Sequence, residues 1–143
     1  TAIENYKLPV FGWMLKKWNA IPIDRSNIQN AKKSIEQGEK AFKDGYNVII
    51  LPEGTRTISG KIKKFKKGGF HMAINTRAPI LPIGSKGAFS FKPKNRWYLK
   101  PGLVELNVGE IIEPSRYDEL GVNGLVNEVR EQMKKLTGYE LEE

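Results

Sequence analysis

The sequence contains no cysteine, which excludes disulfides, thiolate metal sites and a cysteine nucleophile. Its single histidine, His71, excludes a metal site built on a pair of histidines. No stretch reaches the roughly 18 apolar residues of a membrane-spanning helix, and the N-terminus lacks a signal-peptide pattern. The chain begins with Thr1 rather than Met, so we expect the natural protein to be longer. Its 143 residues suit one globular domain.

Acidic residues are missing from one long stretch of the chain. Residues 54–104 hold 12 of the 24 basic residues and none of the 16 acidic ones. Such a block creates a positive field that attracts phosphates or an anionic surface. A solvated basic face without a ligand is the simpler interpretation of the short run Lys61–Lys67. For the whole stretch, nucleic acid, anionic lipid and phosphorylated small molecules stay open as ligands.

Hydrophobic periodicity predicts four helices: near residues 11–18, over 28–43, after Gly68, and from about Asn123 to 137. Short apolar runs predict strands at residues 20–23, 46–51, 79–83 and 103–108. The run 46–51 is nearly continuous and rich in β-branched residues, which is typical of a strand buried on both faces. The alternation predicts one α/β domain over residues 1–143, with a mostly parallel central sheet flanked by helices.

The segment Pro52–Arg56, which follows the predicted buried strand, is the most informative motif. Ligands of open α/β sheets bind beyond the carboxyl ends of the strands. Gly54 permits a close backbone approach or a positive φ, and Thr55 with its neighbouring amides can donate to an anion. Arg56 offers a planar fork of donors that fits phosphate oxygens, while Glu53 can anchor that arginine or bind a ligand hydroxyl. A simple turn closed by a Glu53–Arg56 ion pair is the alternative.

A second arginine, Arg25, follows the apolar run 20–23. If both runs are neighbouring strands, Arg25 and Arg56 emerge at one edge of the sheet and can clamp a single phosphate. A surface pairing of Arg25 with an acid such as Asp24 is the alternative.

Several familiar catalytic sites do not fit the sequence. Gly54–Lys61 has five residues between its glycines instead of the four of a P-loop, and Ile62 replaces the magnesium-binding hydroxyl. His71 lies in a predicted helix beside apolar residues, where packing or a surface position is the simpler role. The residues therefore predict no general base, no catalytic residue and no metal site in this chain.

These motifs occur in the order found in a known family. The chain resembles the 1-acyl-glycerol-3-phosphate acyltransferases between about residues 7 and 113. The matching blocks are Leu8–Trp13, Ile21–Arg25, Leu51–Arg56, Phe65–Gly68 and Pro79–Ile83.

The resemblance implies a glycerolipid acyltransferase-like fold and an enzyme of phospholipid biosynthesis. Such enzymes move a fatty acyl group from acyl-coenzyme A or acyl carrier protein to lysophosphatidic acid, and the product is phosphatidic acid. They work at the cytoplasmic face of a membrane, so an anionic membrane surface is an expected partner and nucleic acid is not. Arg25, Glu53, Gly54, Thr55 and Arg56 match the motifs that bind the acceptor and its phosphate. The donor is a co-substrate, and no cofactor or metal is implied.

The chain departs from the family in one respect. The family's catalytic base lies in an Asn-His-x-Ser-x-x-Asp motif upstream of the Phe-Gly-Trp segment, and this chain contains no such motif. We expect an N-terminally truncated chain that carries the phosphate-binding motifs and is inactive by itself. The alternative is a non-catalytic module that binds anionic lipid or phosphate, and a weaker third hypothesis is a nucleic-acid binder.

Overall fold

The computed structural model describes residues 3–23 and 28–142. The chain forms two compact units, residues 1–49 and 50–143. In the first unit a 3₁₀ helix, Ile3–Lys7, precedes helix α1, Pro9–Lys17, and helix α2, Ile28–Lys43. The helix predicted near residues 11–18 is confirmed, although it begins earlier because Pro9 occupies the first turn, where its missing amide hydrogen costs nothing.

Close backbone packing organises the first unit. A side chain at Gly12 of α1 would collide with the backbone of Tyr6, so the 3₁₀ helix lies directly against α1. The Tyr6 hydroxyl donates to the carbonyl of Ala20. The Ser34 hydroxyl of α2 donates to the Pro22 carbonyl at 2.8 Å, which ties the chain that follows α1 to α2.

The second unit contains the main core. Helix α3 spans Gly68–Thr76, helix α4 spans Ala88–Phe91, and helix α5 spans Tyr117–Thr137. The buried side chains come chiefly from α3, α5 and the segments beside them: Ile62, Phe65, Phe70, Ala73, Ile112, Tyr117, Leu125, Val126 and Val129. Leu125, Val126 and Val129, which belong to the apolar periodicity that predicts the last helix, are therefore on its buried face.

Helix α5 contains a kink. Gly121 has φ 56° and ψ −177°, which is not helical. The start predicted near Asn123 is explained by this kink, because the uninterrupted part of the helix follows Gly121. Before the kink, Tyr117 is buried, and its hydroxyl donates to the carbonyl of Ala78.

The sheet within the described residues has two strands. Strand β1, Ile83–Lys86, pairs antiparallel with strand β2, Glu105–Val108, in the register Ile83↔Val108 and Lys86↔Glu105. One face lies against α5, where a side chain at Gly84 would approach the Leu136 side chain to 2.7 Å. The predicted strand at residues 103–108 is confirmed in its last four residues. Residues 3–23 and 28–142 therefore do not form the mostly parallel central sheet that the sequence predicts.

The run 46–51 is not a strand, and this prediction is wrong. Ile49 is 91% exposed and Leu51 is 83% exposed, so the run is not buried on both faces. Ile50 instead lies over Gly69, at the start of α3. An apolar run forms a strand only when another strand pairs with its backbone. No strand in the described part of the chain pairs with residues 46–51.

Candidate anion-binding site

The Pro52–Arg56 motif forms a tight turn at the surface of the second unit. The Gly54 amide donates to the Leu51 carbonyl at 3.1 Å, which closes the turn. Gly54 has φ +71°, a left-handed conformation that residues with a side chain rarely adopt. Of the two uses that the sequence leaves open for this glycine, a close backbone approach or a positive φ, the structure shows the positive φ.

The lysine-rich segment, residues 61–67, runs back alongside this turn. The Lys66 amide donates to the Pro52 carbonyl at 2.8 Å. The Lys63 amide donates to the Glu53 carboxylate, at 3.0 Å from Oε2. These two hydrogen bonds hold the turn at its first two residues and leave Thr55 and Arg56 exposed beyond it.

Two buried apolar side chains anchor the lysine-rich segment to the core. Ile62 and Phe65 are buried, and Phe65 stacks against Phe70 of α3 with ring centroids 6.3 Å apart. The Ile62 amide donates to the Glu140 carbonyl at 2.8 Å, and the Ile62 carbonyl accepts from Glu142 at the same distance. The spacing of apolar residues among lysines therefore buries one side of the segment and directs the cations to solvent.

The Glu53 carboxylate does not have the partner, Arg56, that the simple-turn alternative expects. It accepts a hydrogen bond from a backbone amide and forms no ion pair with Arg56. The alternative in which a Glu53–Arg56 ion pair merely closes the turn is therefore wrong. The structure gives Glu53 a positioning role, and the contact with acceptor remains a prediction.

Arg56 is exposed and forms no ion pair with any residue in the described part of the chain. Five lysines follow it within eleven residues, and no carboxylate occurs again until Glu105. A guanidinium in such surroundings keeps its donors available for a phosphate or carboxylate from outside.

Lys66 is a residue of this site that the motif analysis does not single out. Its side-chain carbons lie 3.7 and 3.9 Å from the position that a Cβ on Gly54 would take, so its stem crosses the turn. Lys66 belongs to the Phe65–Gly68 block that the family resemblance includes. Its position beside Gly54 depends on the chain folding back, which the motif alone does not show. A cation on this stem adds positive charge beside the turn.

Arg25 lies outside the residues that the structure describes. Its convergence with Arg56 on one phosphate therefore stays a prediction.

His71 is exposed on α3. In residues 3–23 and 28–142 no group of three or more histidine, cysteine, aspartate and glutamate side chains is placed to hold a metal ion. Among the helices described, none has the length and apolarity to cross a membrane.

Comparison with known proteins gives consistent matches to one family. The Acyltransferase family model matches residues 2–86, a range that includes the Pro52–Arg56 turn and Arg25. A Pseudomonas aeruginosa 1-acyl-sn-glycerol-3-phosphate acyltransferase is 40% identical over 103 residues, which are 71% of this chain and 40% of the relative. The Cocos nucifera enzyme of the same name is 34% identical over 119 residues, or 82% of this chain and 39% of the relative. The chain thus spans about two fifths of these relatives.

A solved structure supports the same assignment. The 1-acyl-sn-glycerophosphate (LPA) acyltransferase PlsC from Thermotoga maritima superposes with a TM-score of 0.81 and 28% sequence identity. The match covers 95% of this chain and 54% of that chain, which confirms the predicted α/β, glycerolipid acyltransferase-like fold class. The extent of the family match and the structural likeness agree, and the chain belongs to the Acyltransferase family.

Proposed function

We propose that this chain supplies the acceptor-binding part of an enzyme that acylates lysophosphatidic acid to phosphatidic acid. The observation that carries the proposal is the turn at Gly54, which presents Thr55 and Arg56 amid lysines, with Arg56 unpaired among residues 3–23 and 28–142. Membership of the Acyltransferase family and the names of the relatives supply the reaction class.

The proposed role of the turn is to hold the phosphate of the acceptor. Arg56 donates to two phosphate oxygens, Thr55 and nearby amides donate to others, and Lys66 adds charge from beside Gly54. Arg25 is proposed to complete the clamp. Glu53 keeps the turn rigid through the Lys63 amide, so these donors need no rearrangement when the acceptor binds.

The chemistry requires a base that we place outside these 143 residues, on the histidine of an Asn-His-x-Ser-x-x-Asp motif. That histidine takes the proton of the acceptor hydroxyl, the oxygen attacks the thioester carbonyl, and the thiol of coenzyme A or acyl carrier protein leaves. The 143-residue chain by itself is therefore expected to show no acyl transfer. We also propose that the enzyme works at the cytoplasmic face of a membrane, where its lipid acceptor resides.

The test uses the full-length enzyme that contains this chain, with two acceptors. We expect Arg56→Ala to raise the KM for lysophosphatidic acid by about tenfold or more, because a charge-assisted hydrogen bond is lost. Monoacylglycerol, which lacks the phosphate, should be used with an unchanged kcat/KM. Arg77→Ala, which removes another exposed arginine of the same unit, is the control and should change neither value.

Three results would contradict the proposal. An unchanged KM for lysophosphatidic acid in Arg56→Ala would show that the turn does not bind the phosphate. An equal loss with both acceptors would show that Arg56 acts on folding or on the donor. Absence of the histidine motif from the upstream sequence would favour the non-catalytic module that binds anionic lipid.

A further inference from the structure

The segment that follows α4 exposes an unusual set of apolar side chains. Trp97 is 90% exposed and Leu103 is 76% exposed, and Tyr98 and Leu99 are also exposed. We infer that these four residues, here called the Trp97 surface, dock the protein on an anionic phospholipid bilayer. The inference refines the proposed membrane location and does not require acyl transfer by this chain.

Hydrogen bonds hold the Trp97 surface in place. Arg96 donates from Nη2 to the carbonyls of Ser90 and Phe91, at 2.6 and 2.7 Å, at the end of α4. Its Nε donates to the Tyr98 carbonyl, and its guanidinium lies 4.9 Å from the centre of the Tyr98 ring. Lys100 donates its amide to Phe91 at 3.0 Å. The chain on both sides of Trp97 is therefore fixed while the indole projects into solvent.

Gly87 fixes the far end of the segment. It has φ +89°, and its amide donates to the Tyr139 hydroxyl at 2.8 Å. A side chain at Gly87 would overlap the Leu103 carbonyl oxygen, so the backbone of Leu103 lies directly against the start of α4. A scaffold this constrained holds Trp97 and Leu103 outward instead of letting them fold onto the core.

The charges around the surface suit an anionic bilayer. Four basic residues lie between Phe91 and Pro101, and the chain has no acid from Gly54 to Val104. Lys92 and Arg96 bond to backbone carbonyls, whereas Lys94 and Lys100 are exposed. Tryptophan and tyrosine beside lysines match the boundary between lipid headgroups and acyl chains, where an apolar body and a polar tip are both satisfied.

Bilayer contact explains the surface better than nucleic acid does. Base stacking needs open aromatic faces, which the exposed Trp97 offers but Tyr98 offers on one side only. The guanidinium of Arg96 covers one face of Tyr98, and Trp97 meets that ring edge-on with centroids 5.6 Å apart. The two exposed leucines, Leu99 and Leu103, add apolar area that does not stack on bases. The same area inserts readily into the headgroup boundary of a bilayer.

A single-tryptophan variant reports on this surface directly. Trp13→Phe combined with Trp18→Phe leaves Trp97 as the only tryptophan in the chain. With vesicles that contain phosphatidylglycerol, we expect a blue shift of its emission and quenching by lipids brominated on the acyl chain. Both signals should weaken with added salt and be small with pure phosphatidylcholine.

Binding of the variants to the same vesicles measures the energetic contribution. We expect Trp97→Ala to weaken binding by about tenfold, because its apolar area no longer leaves water. Lys94→Ala should weaken it by about fivefold on anionic vesicles only. Trp18→Ala removes a tryptophan of the first unit that is 67% exposed, and it should leave binding unchanged. Circular dichroism verifies that each variant is folded.

The outcomes separate this inference from the proposed membrane location. If the chain binds vesicles but Trp97 emission and quenching stay as in water, the Trp97 surface is not the docking site and the inference fails alone. An equal effect of Trp18→Ala and Trp97→Ala would overturn it too. If the chain does not bind vesicles, the inference and a bilayer contact of this chain fail together. They also fail together if the Trp97 emission shifts on addition of an acidic protein but not on addition of vesicles.

Discussion

Replacement of Glu53 tests whether the candidate site depends on a single carboxylate that touches the backbone. Glu53→Ala removes the acceptor of the Lys63 amide, whose hydrogen bond spans 3.0 Å. A hydrogen bond to a charged group contributes about 1.5–3 kcal/mol, and solvent access to the half-buried carboxylate reduces this to about 1 kcal/mol. For a chain of 143 residues that free energy lowers the Tm by roughly 3–5 °C.

Two matched variants separate the hydrogen bond from the charge. Glu53→Gln keeps a carbonyl oxygen that can accept from the Lys63 amide, so its Tm should stay within about 1 °C of the parent. Glu131→Ala removes an exposed carboxylate of α5 and changes the net charge equally, without touching the turn. Thermal unfolding followed by circular dichroism gives the three values at one pH and salt concentration.

The same variants have an expected functional pattern in the full-length enzyme. A looser turn places Arg56 less often in the binding geometry, so Glu53→Ala should raise the KM for lysophosphatidic acid several-fold. The expected factor is the one that corresponds to the free energy lost with the Lys63 hydrogen bond. Glu53→Gln should restore most of that loss. If Gln is as harmful as Ala to both Tm and KM, the negative charge itself is required and the positioning role is wrong. If Ala changes neither value, the hydrogen bond to Lys63 does not hold the turn.

Two further predictions concern the core that supports the site. Gly84→Ala places a methyl group 2.7 Å from the Leu136 side chain, and chemical denaturation should show a loss of about 1–3 kcal/mol; an unchanged midpoint would mean that β1 is not packed on α5. Burial raises the pKa of the Tyr117 hydroxyl above its usual value of about 10, with the Glu113 carboxylate adding to the effect. The unfolded chain therefore loses this proton first, and stability that is present below pH 10 declines above it. Tyr117→Phe should be less stable at neutral pH by about 1 kcal/mol but should lose less stability between pH 9 and 11; parallel curves would contradict this.

Local patterns in the sequence predicted the helices well and the sheet poorly. The period of α2 and the stripe of α5 are properties of single segments, and both helices occur where they were expected. A strand depends instead on a partner that may lie far along the chain. Residues 103–108 find such a partner in β1, whereas the equally apolar run 46–51 does not, and Ile50 packs on Gly69 instead.

The candidate site shows the same division. A turn at Gly54 follows from five adjacent residues, and the sequence predicts it, but those residues leave open whether Arg56 pairs with Glu53. The partner of Glu53 and the place of Lys66 depend on the lysine-rich segment folding back, which Ile62 fixes by pairing with the chain beside Leu141. No spacing rule within residues 52–67 contains that information.

The arrangement of Glu53 resolves a conflict between stability and anion binding. A cluster of cations attracts phosphate but repels itself, and the simplest remedy is a carboxylate paired with one of the cations. Such a pair between Glu53 and Arg56 would occupy the guanidinium that we propose as the partner of the acceptor phosphate. The Glu53 carboxylate instead accepts a hydrogen bond from the Lys63 amide. Glu53 thereby stabilises the turn while Arg56 stays unpaired within the described chain. The burial of Ile62 and Phe65 between the lysines then supplies the stability that an ion pair would otherwise have to provide.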